Sequence, residues 1–150
     1  MTNTTYKELA DRVFNKIKDC SFLQMNETMA YQIVIGYLPN AIVRFQNCKQ
    51  DLSDRDDELG EFNFKLTDDT SALLCNYMVL EWLESNYILT AQALKTRLTP
   101  ADFKSLNLTQ HLDKVIMLKN TLKEENDQLA RNKSYLQSKL FDIVVGRKRV

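Results

Sequence analysis

Glycine and proline are scarce: the 150 residues include three glycines and two prolines. That leaves little material for tight turns or hairpins. Gly36, Gly60 and Gly146 each stand alone, outside the glycine-rich, Lys-Ser or Lys-Thr spacing that cradles phosphates. Cysteine is equally sparse. Cys20, Cys48 and Cys75 are odd in number and lack CxxC or His-adjacent spacing, which argues against a disulfide framework or a structural zinc site and predicts free thiols. Net charge is absent too: 20 basic and 20 acidic side chains cancel, so the chain lacks the basic excess that drives non-specific nucleic-acid binding by counterion release. Long apolar runs are missing. Ile33 to Leu38 and Met78 to Leu80 fall far short of the ~18–20 residues of a membrane helix. The polar Met1 to Tyr6 lacks the basic-then-apolar order of a secretory signal, so a soluble protein made in a cytoplasm is expected.

Catalytic groups are equally thin. His111 is the single histidine; it sits beside Gln110 and Asp113 with no Ser or Cys nucleophile in a context that implies a triad. No pair of titratable groups is spaced for acid–base work, so no enzyme, cofactor or metal is expected. Asp54, Asp56, Glu58 and Gly60 resemble a calcium loop only superficially. Counting from Asp54, the sixth position is Leu59 where glycine is needed, and the twelfth is Lys65 where a bidentate glutamate is needed. A solvated acidic loop, or an acidic docking patch, remains.

What is present is helical patterning. With 44% apolar and 27% charged residues, the chain reads as one all-α domain over 1–146 and a basic tail over 147–150. The expected fold is a bundle of about five helices with one long C-terminal helix and at most one short extended segment near 61–66. From Thr4 to Asp19, Leu9, Val13, Phe14 and Ile17 recur at helical spacing. Asn26 caps a second helix with Met29, Ile33, Tyr37, Ile42 and Phe45 inward; Gly36 and Pro39 kink or split it at Tyr37 to Asn40. Glu61 to Leu66 alternates like a strand. Asp68 or Asp69 then caps a helix in which Leu73, Leu74, Tyr77, Met78, Leu80, Trp82 and Leu83 cover most of the circumference, as a central, buried helix requires. Tyr77, Trp82 and Tyr87 read as core aromatics rather than a base-stacking platform.

Ser85-Asn86 is the expected pause, followed by a short helix from Thr90 to Leu98 and another opened by Thr99-Pro100-Ala101-Asp102 and ending near Leu106. From Asn107 or Thr109 to Val145 neither proline nor glycine appears, which predicts a helix of ~35 residues and ~50 Å. Val115, Leu122, Leu129, Leu136 and Ile143 repeat every seven residues, with Leu112 and Leu140 on the adjacent seam. Lys119, Asn126 and Lys133 interrupt that seam, so the stripe is too narrow for a self-sufficient zipper and must lie along other helices or a neighbouring subunit. Lys114, Lys123, Arg131 and Lys139 interleave with Glu124, Glu125 and Asp127 as a salt-laced exposed face. Gly146 ends the helix, and Arg147-Lys148-Arg149-Val150 follows as a basic tail.

A family pattern overlies this reading. Asn47-Cys-Lys-Gln-Asp-Leu-Ser53 with Asp56, Phe64-Lys-Leu66, Leu74-Cys-Asn-Tyr-Met-Val-Leu-Glu-Trp-Leu83, Leu94-Lys-Thr-Arg-Leu98, Asp102-Phe103, and His111-Leu112 leading into a charged helix with Tyr135 stand in order along the chain. Over Asn47 to Tyr135 this series of apolar anchors and turns resembles the small helical head–tail connector proteins of tailed bacteriophages. The resemblance implies a virion protein of the neck, assembled in the host cytoplasm, that forms a homo-oligomeric ring below the portal. Such a ring extends the DNA channel without sequence-specific binding and offers a docking surface to other neck or tail proteins. It further implies that Arg147, Lys148 and Arg149 dock to the portal and that the last helix, through Leu112, Val115, Leu122, Leu129, Leu136 and Leu140, is a subunit interface; the core of Leu74, Tyr77, Met78, Trp82 and Leu83 is expected from the helical pattern itself. The competing expectation is a non-enzymatic regulatory module that grips a host protein or DNA through the last helix and basic tail.

Overall fold

The computed structural model describes residues 2–17, 20–89 and 108–136. The sequence expectations for Thr90 to Leu98, for Thr99 to Leu106, and for everything beyond Leu136, including Leu140, Ile143 and the Arg147–Arg149 tail, lie outside the described residues. The described chain is mainly α-helical, as the periodicity predicts. It comprises α1 (Tyr6–Lys16), a 3₁₀ turn (Cys20–Gln24), α2 (Glu27–Ile35), α3 (Leu38–Arg44), a hairpin of β1 (Arg55–Asp56) and β2 (Glu61–Phe62), α4 (Asp68–Leu83) continuing into a π-helical segment (Glu84–Leu89), and the long α5 (Leu108–Leu136).

Helix α1 starts where a capping box forms. The Thr5 hydroxyl accepts from the Glu8 amide and the Glu8 carboxylate accepts from the Thr5 amide, satisfying two otherwise orphaned donors. The helix ends earlier than predicted, because Ile17 is already extended and buried. Asn26 caps α2 as expected, its side chain accepting from the Thr28 amide. The predicted interruption is a true split: α2 ends at Ile35, and α3 begins at Leu38 with Pro39 in its first turn, where the missing N–H costs nothing.

The inward faces of α2 and α3 differ from the sequence reading. Phe45 is buried as predicted, but Met29 is 56% exposed, and Ala30, Val34, Leu38 and Ala41 complete the buried line. Alanines at two of these positions let the helix backbones approach closely, and large apolar residues beside them are only half-covered.

The strand prediction is shortened to Glu61–Phe62, and its antiparallel partner Arg55–Asp56 comes from the acidic stretch read as a loop. Gly60 closes the hairpin with φ of 68°, a left-handed conformation that side chains resist. The N-terminal residues run along the other edge of β2. Phe62 donates to the Thr4 carbonyl at 2.9 Å, and Tyr6 donates to the Gly60 carbonyl at 2.8 Å. The acidic side chains are occupied locally. Asp51 accepts from Ser53, Asp54 from Asn63, Asp56 from the Glu58 and Leu59 amides, and Asp57 from Tyr6 and Arg55.

Helix α4 is capped one residue earlier than predicted. Thr67 accepts from the Thr70 amide, while Asp68 and Asp69 occupy the first turn and favour its positive dipole end. Leu74, Cys75 and Met78 are fully buried, and Tyr77, Leu80 and Leu83 nearly so; Trp82 is only half-buried. Helices α1, α3 and α5 pack on α4, and α2 packs on α1. The predicted pause at Ser85-Asn86 does not occur. The backbone widens into the π segment, and the Asn86 amide donates to the Trp82 carbonyl and to the Tyr37 hydroxyl, so its polar side chain ties the turn down.

Replacing Gly60 tests the hairpin's dependence on a left-handed residue. The nearest neighbour of a Cβ there is a Tyr6 ring carbon at 3.8 Å, so space is adequate and the cost is conformational. Gly60→Ala should lower unfolding stability by about 1–2 kcal/mol in a denaturant titration, with an unchanged slope.

Candidate functional site

The functional question centres on α5, which has 29 residues and a length of about 44 Å. Four polar contacts fix its direction. Lys119 meets Glu84 at 3.6 Å, Asn76 donates to Asn126 at 3.1 Å, Tyr77 donates to Asp127 at 2.9 Å, and Lys133 donates to Thr70 at 2.9 Å. Advancing along α5 therefore means retreating along α4 and its π extension, so the two run antiparallel. Asn76 also accepts from Lys16, which links α1, α4 and α5 through one amide.

Apolar burial along this seam is slight. Leu112 and Ala130 are the apolar residues of α5 that reach near-complete burial among the described ones, with Asn126 buried between them. Leu122 packs half-buried against the core, and Val115 is half-buried. The packed line thus runs through Leu112, Lys119, Asn126 and Ala130. These include the polar positions that break the heptad, and they face the body more fully than the seven-residue apolar row does. The sequence reading treated them as defects. Lys119 pairs with Glu84 of the π segment, and the buried Asn126, which must find a partner, accepts from Asn76 of α4.

The heptad row is divided as a result. Leu129 is 54% exposed, and Leu118, Met117 and Tyr135 lie outward with it at 52%, 72% and 53%. Of the predicted interface residues, Leu112 is buried within the chain, Val115 and Leu122 are half-covered, and Leu129 is exposed. Leu118 and Met117 were missed, because the apolar row was drawn through the alternative heptad seam. Leu129 lines an apolar groove of about 440 Å³ with Ala72 and Leu73, bordered by Asp69, Asn76, Asn132 and Lys133.

A second, polar hollow of about 290 Å³ lies on the opposite side of the seam. Arg44, Lys123, Arg131 and Asp127 border it. Its charges are largely internally paired: Arg44 bonds to Glu81 and, at 2.7 Å, to Glu84, and Lys123 lies 3.5 Å from Asp127. Burial, reinforced by Asp127, pushes the Tyr77 phenol above its ordinary range, so at neutral pH Tyr77 is a neutral donor. Burial likewise raises the Cys75 thiol to about 11, which makes it an inert core residue; Cys48 and Cys75 are free. The Trp82 indole N–H is buried without a partner among the described residues, and its ring meets Tyr87 at 5.2 Å.

His111 is exposed on the outer side of α5. Among the described residues no group of three or more His, Cys, Asp or Glu side chains is gathered as a metal site, and no helix is long and apolar enough to cross a membrane. Comparison of the chain with family models, with curated proteins and with solved structures returns no match.

The seam's chemistry has a measurable pH signature. The Tyr77 pKa is raised above the ordinary 10.0 by folding, so the folded state holds this proton more tightly; that contribution is complete below pH 10 and declines as pH rises further. Tyr77→Phe should cost about 1 kcal/mol at neutral pH through the lost bond to Asp127 and flatten the alkaline fall in stability, measured by urea titrations across pH 8–11.

Proposed function

We propose that this chain is a non-enzymatic structural adaptor, a head–tail connector that assembles as a ring below a phage portal, extends the DNA channel and presents a docking surface for the next neck or tail protein. The observation that carries this reading is the state of α5: one face is fixed to the body by polar contacts, while Met117, Leu118, Leu129 and Tyr135 are held outward. A helix of this length with apolar side chains on its outer side buries them best between copies. Closed rings arise when one surface of a subunit meets a different surface of the next, and a long helical flank can supply one of the two.

The balanced charge also supports the reading. A channel that lets DNA slide needs no strong basic patch, and 20 positive against 20 negative side chains give the chain no net attraction for phosphate. The docking of Arg147, Lys148 and Arg149 to the portal belongs to the same proposal and rests on the sequence resemblance.

The test is the mass of the protein in solution, alone and after mixing with tail-less capsids that carry a portal. A closed ring, alone or on the capsid, is expected. A stable monomer or dimer that ignores capsids would contradict it and favour the regulatory module. Leu118→Glu and Leu129→Glu, at half-exposed positions, should change stability by within about 0.5 kcal/mol yet abolish ring formation. Rings formed by both variants as readily as by the parent chain would remove this face from the interface.

A further inference from the structure

We propose that the polar hollow between α3 and α5 is an oxyanion site that takes a carboxylate from an acidic segment of a partner protein, with Arg131 as its principal ligand. The inference stands apart from the connector reading, because it concerns the chemistry of one site and holds for any partner that presents such a group.

The hollow forms where the end of α3 meets α5. Lys123, Asp127 and Arg131 stand four residues apart, so they share one face of α5, and Arg44 faces them from the last turn of α3. The buried Tyr77 of α4 contributes the inner wall. Its volume of about 290 Å³ is near the small end of the range for ligand clefts.

The pairing of its charges leaves one over. Asp127 commits one oxygen to the Tyr77 hydroxyl, at 2.9 Å, and the other to Lys123, at 3.5 Å. Arg44 is held in place by Glu81 and Glu84, and Lys119 supplies Glu84 with a second cation. Arg131 is exposed and has no carboxylate within ion-pair range among the described residues, although Asp127 lies four positions before it on the same helix. Across the neighbourhood, Arg44, Lys119, Lys123 and Arg131 stand against Glu81, Glu84 and Asp127, so one positive charge is unmatched. The charge of Arg131 is felt at the Tyr77 hydroxyl, where it opposes the effect of Asp127, which puts the guanidinium on the hollow's side of the helix.

The unmatched group selects the ligand. A guanidinium presents a planar fork that meets a carboxylate through two parallel hydrogen bonds. A carboxylate carries the one charge that Arg131 lacks, whereas a dianionic phosphate exceeds it and is repelled by Asp127. A nucleic-acid backbone is held by a series of phosphate contacts, and this hollow offers a single free cation among the described residues. The exposed amide side chains of Gln46 and Asn47 add neutral donors at the mouth.

The test is chemical-shift mapping of the ¹⁵N-labelled full chain at low salt with a blocked triglutamate peptide, the matching triglutamine peptide and inorganic phosphate. The triglutamate peptide should saturably shift amides of residues 44–47 and 123–131, with a Kd of about 1 mM or below. Arg131→Gln should weaken this binding by about tenfold or more. Lys114→Gln removes an equal charge about 25 Å away along α5 and should change it by less than about twofold. Both positions are exposed, so both variants keep the fold. No saturable shift at the hollow, an equal loss in the two variants, or an equal response to triglutamine would overturn the site. Tighter binding of phosphate than of the peptide would overturn the carboxylate assignment. None of these outcomes bears on ring formation, which is read separately from mass.

Discussion

The structure depends on one requirement: α4, apolar around most of its circumference, has to be covered on every side. Leu74, Cys75 and Met78 are fully buried where α1, α3 and α5 pack on this one helix. Burying such a side chain stabilises by roughly 1.5–3 kcal/mol, and the gain is realised only when each face has a covering element. The hairpin and the N-terminal residues then close one end of the assembly, with Tyr6 and Phe62 in edge-to-face contact at 5.5 Å.

The covering elements are not equivalent. Helices α1 and α3 meet α4 through aliphatic and aromatic side chains, including Leu9, Val13, Leu38 and Phe45. Helix α5 meets it through an asparagine pair, a tyrosine–aspartate bond and lysines on hydroxyls and a carboxylate. A polar seam of this kind gives direction and register rather than adhesion, since each bond replaces one that water would make. The result is a folded body carrying a long, accurately placed helix whose outer side is still partly apolar.

Much of this was legible in the sequence because it follows from local rules. The all-α class, the Asn26 cap, the break near Gly36 and Pro39, and the central role of Leu74, Tyr77 and Met78 rest on periodicity and backbone chemistry that a single chain displays. The β1 strand was not legible, since Arg55-Asp56 has no apolar alternation; it pairs only because Gly60 turns the chain and Glu61-Phe62 is held between it and Thr4. The outward turn of Met29 was hidden for a related reason. Helical spacing marks a face, but the close approach permitted by Ala30 and Ala41 decides which side of that face is buried.

The candidate surface was half-visible. The interrupted heptad announced that α5 could not zip alone, but Lys119, Asn126 and Lys133 read as interruptions because their partners Glu84, Asn76 and Thr70 lie more than thirty residues upstream. Selecting those positions for the seam turned Leu129 outward and brought Leu118 and Met117 into the exposed set. The central claim, that α5 is held to α4 by a polar seam weaker than the apolar packing among α1 to α4, is tested most directly by native-state amide hydrogen exchange. The account predicts that α4 amides exchange only through global unfolding, while those of α5 exchange through a separate opening of lower free energy. Exchange of α4 and α5 at one common free energy would contradict it.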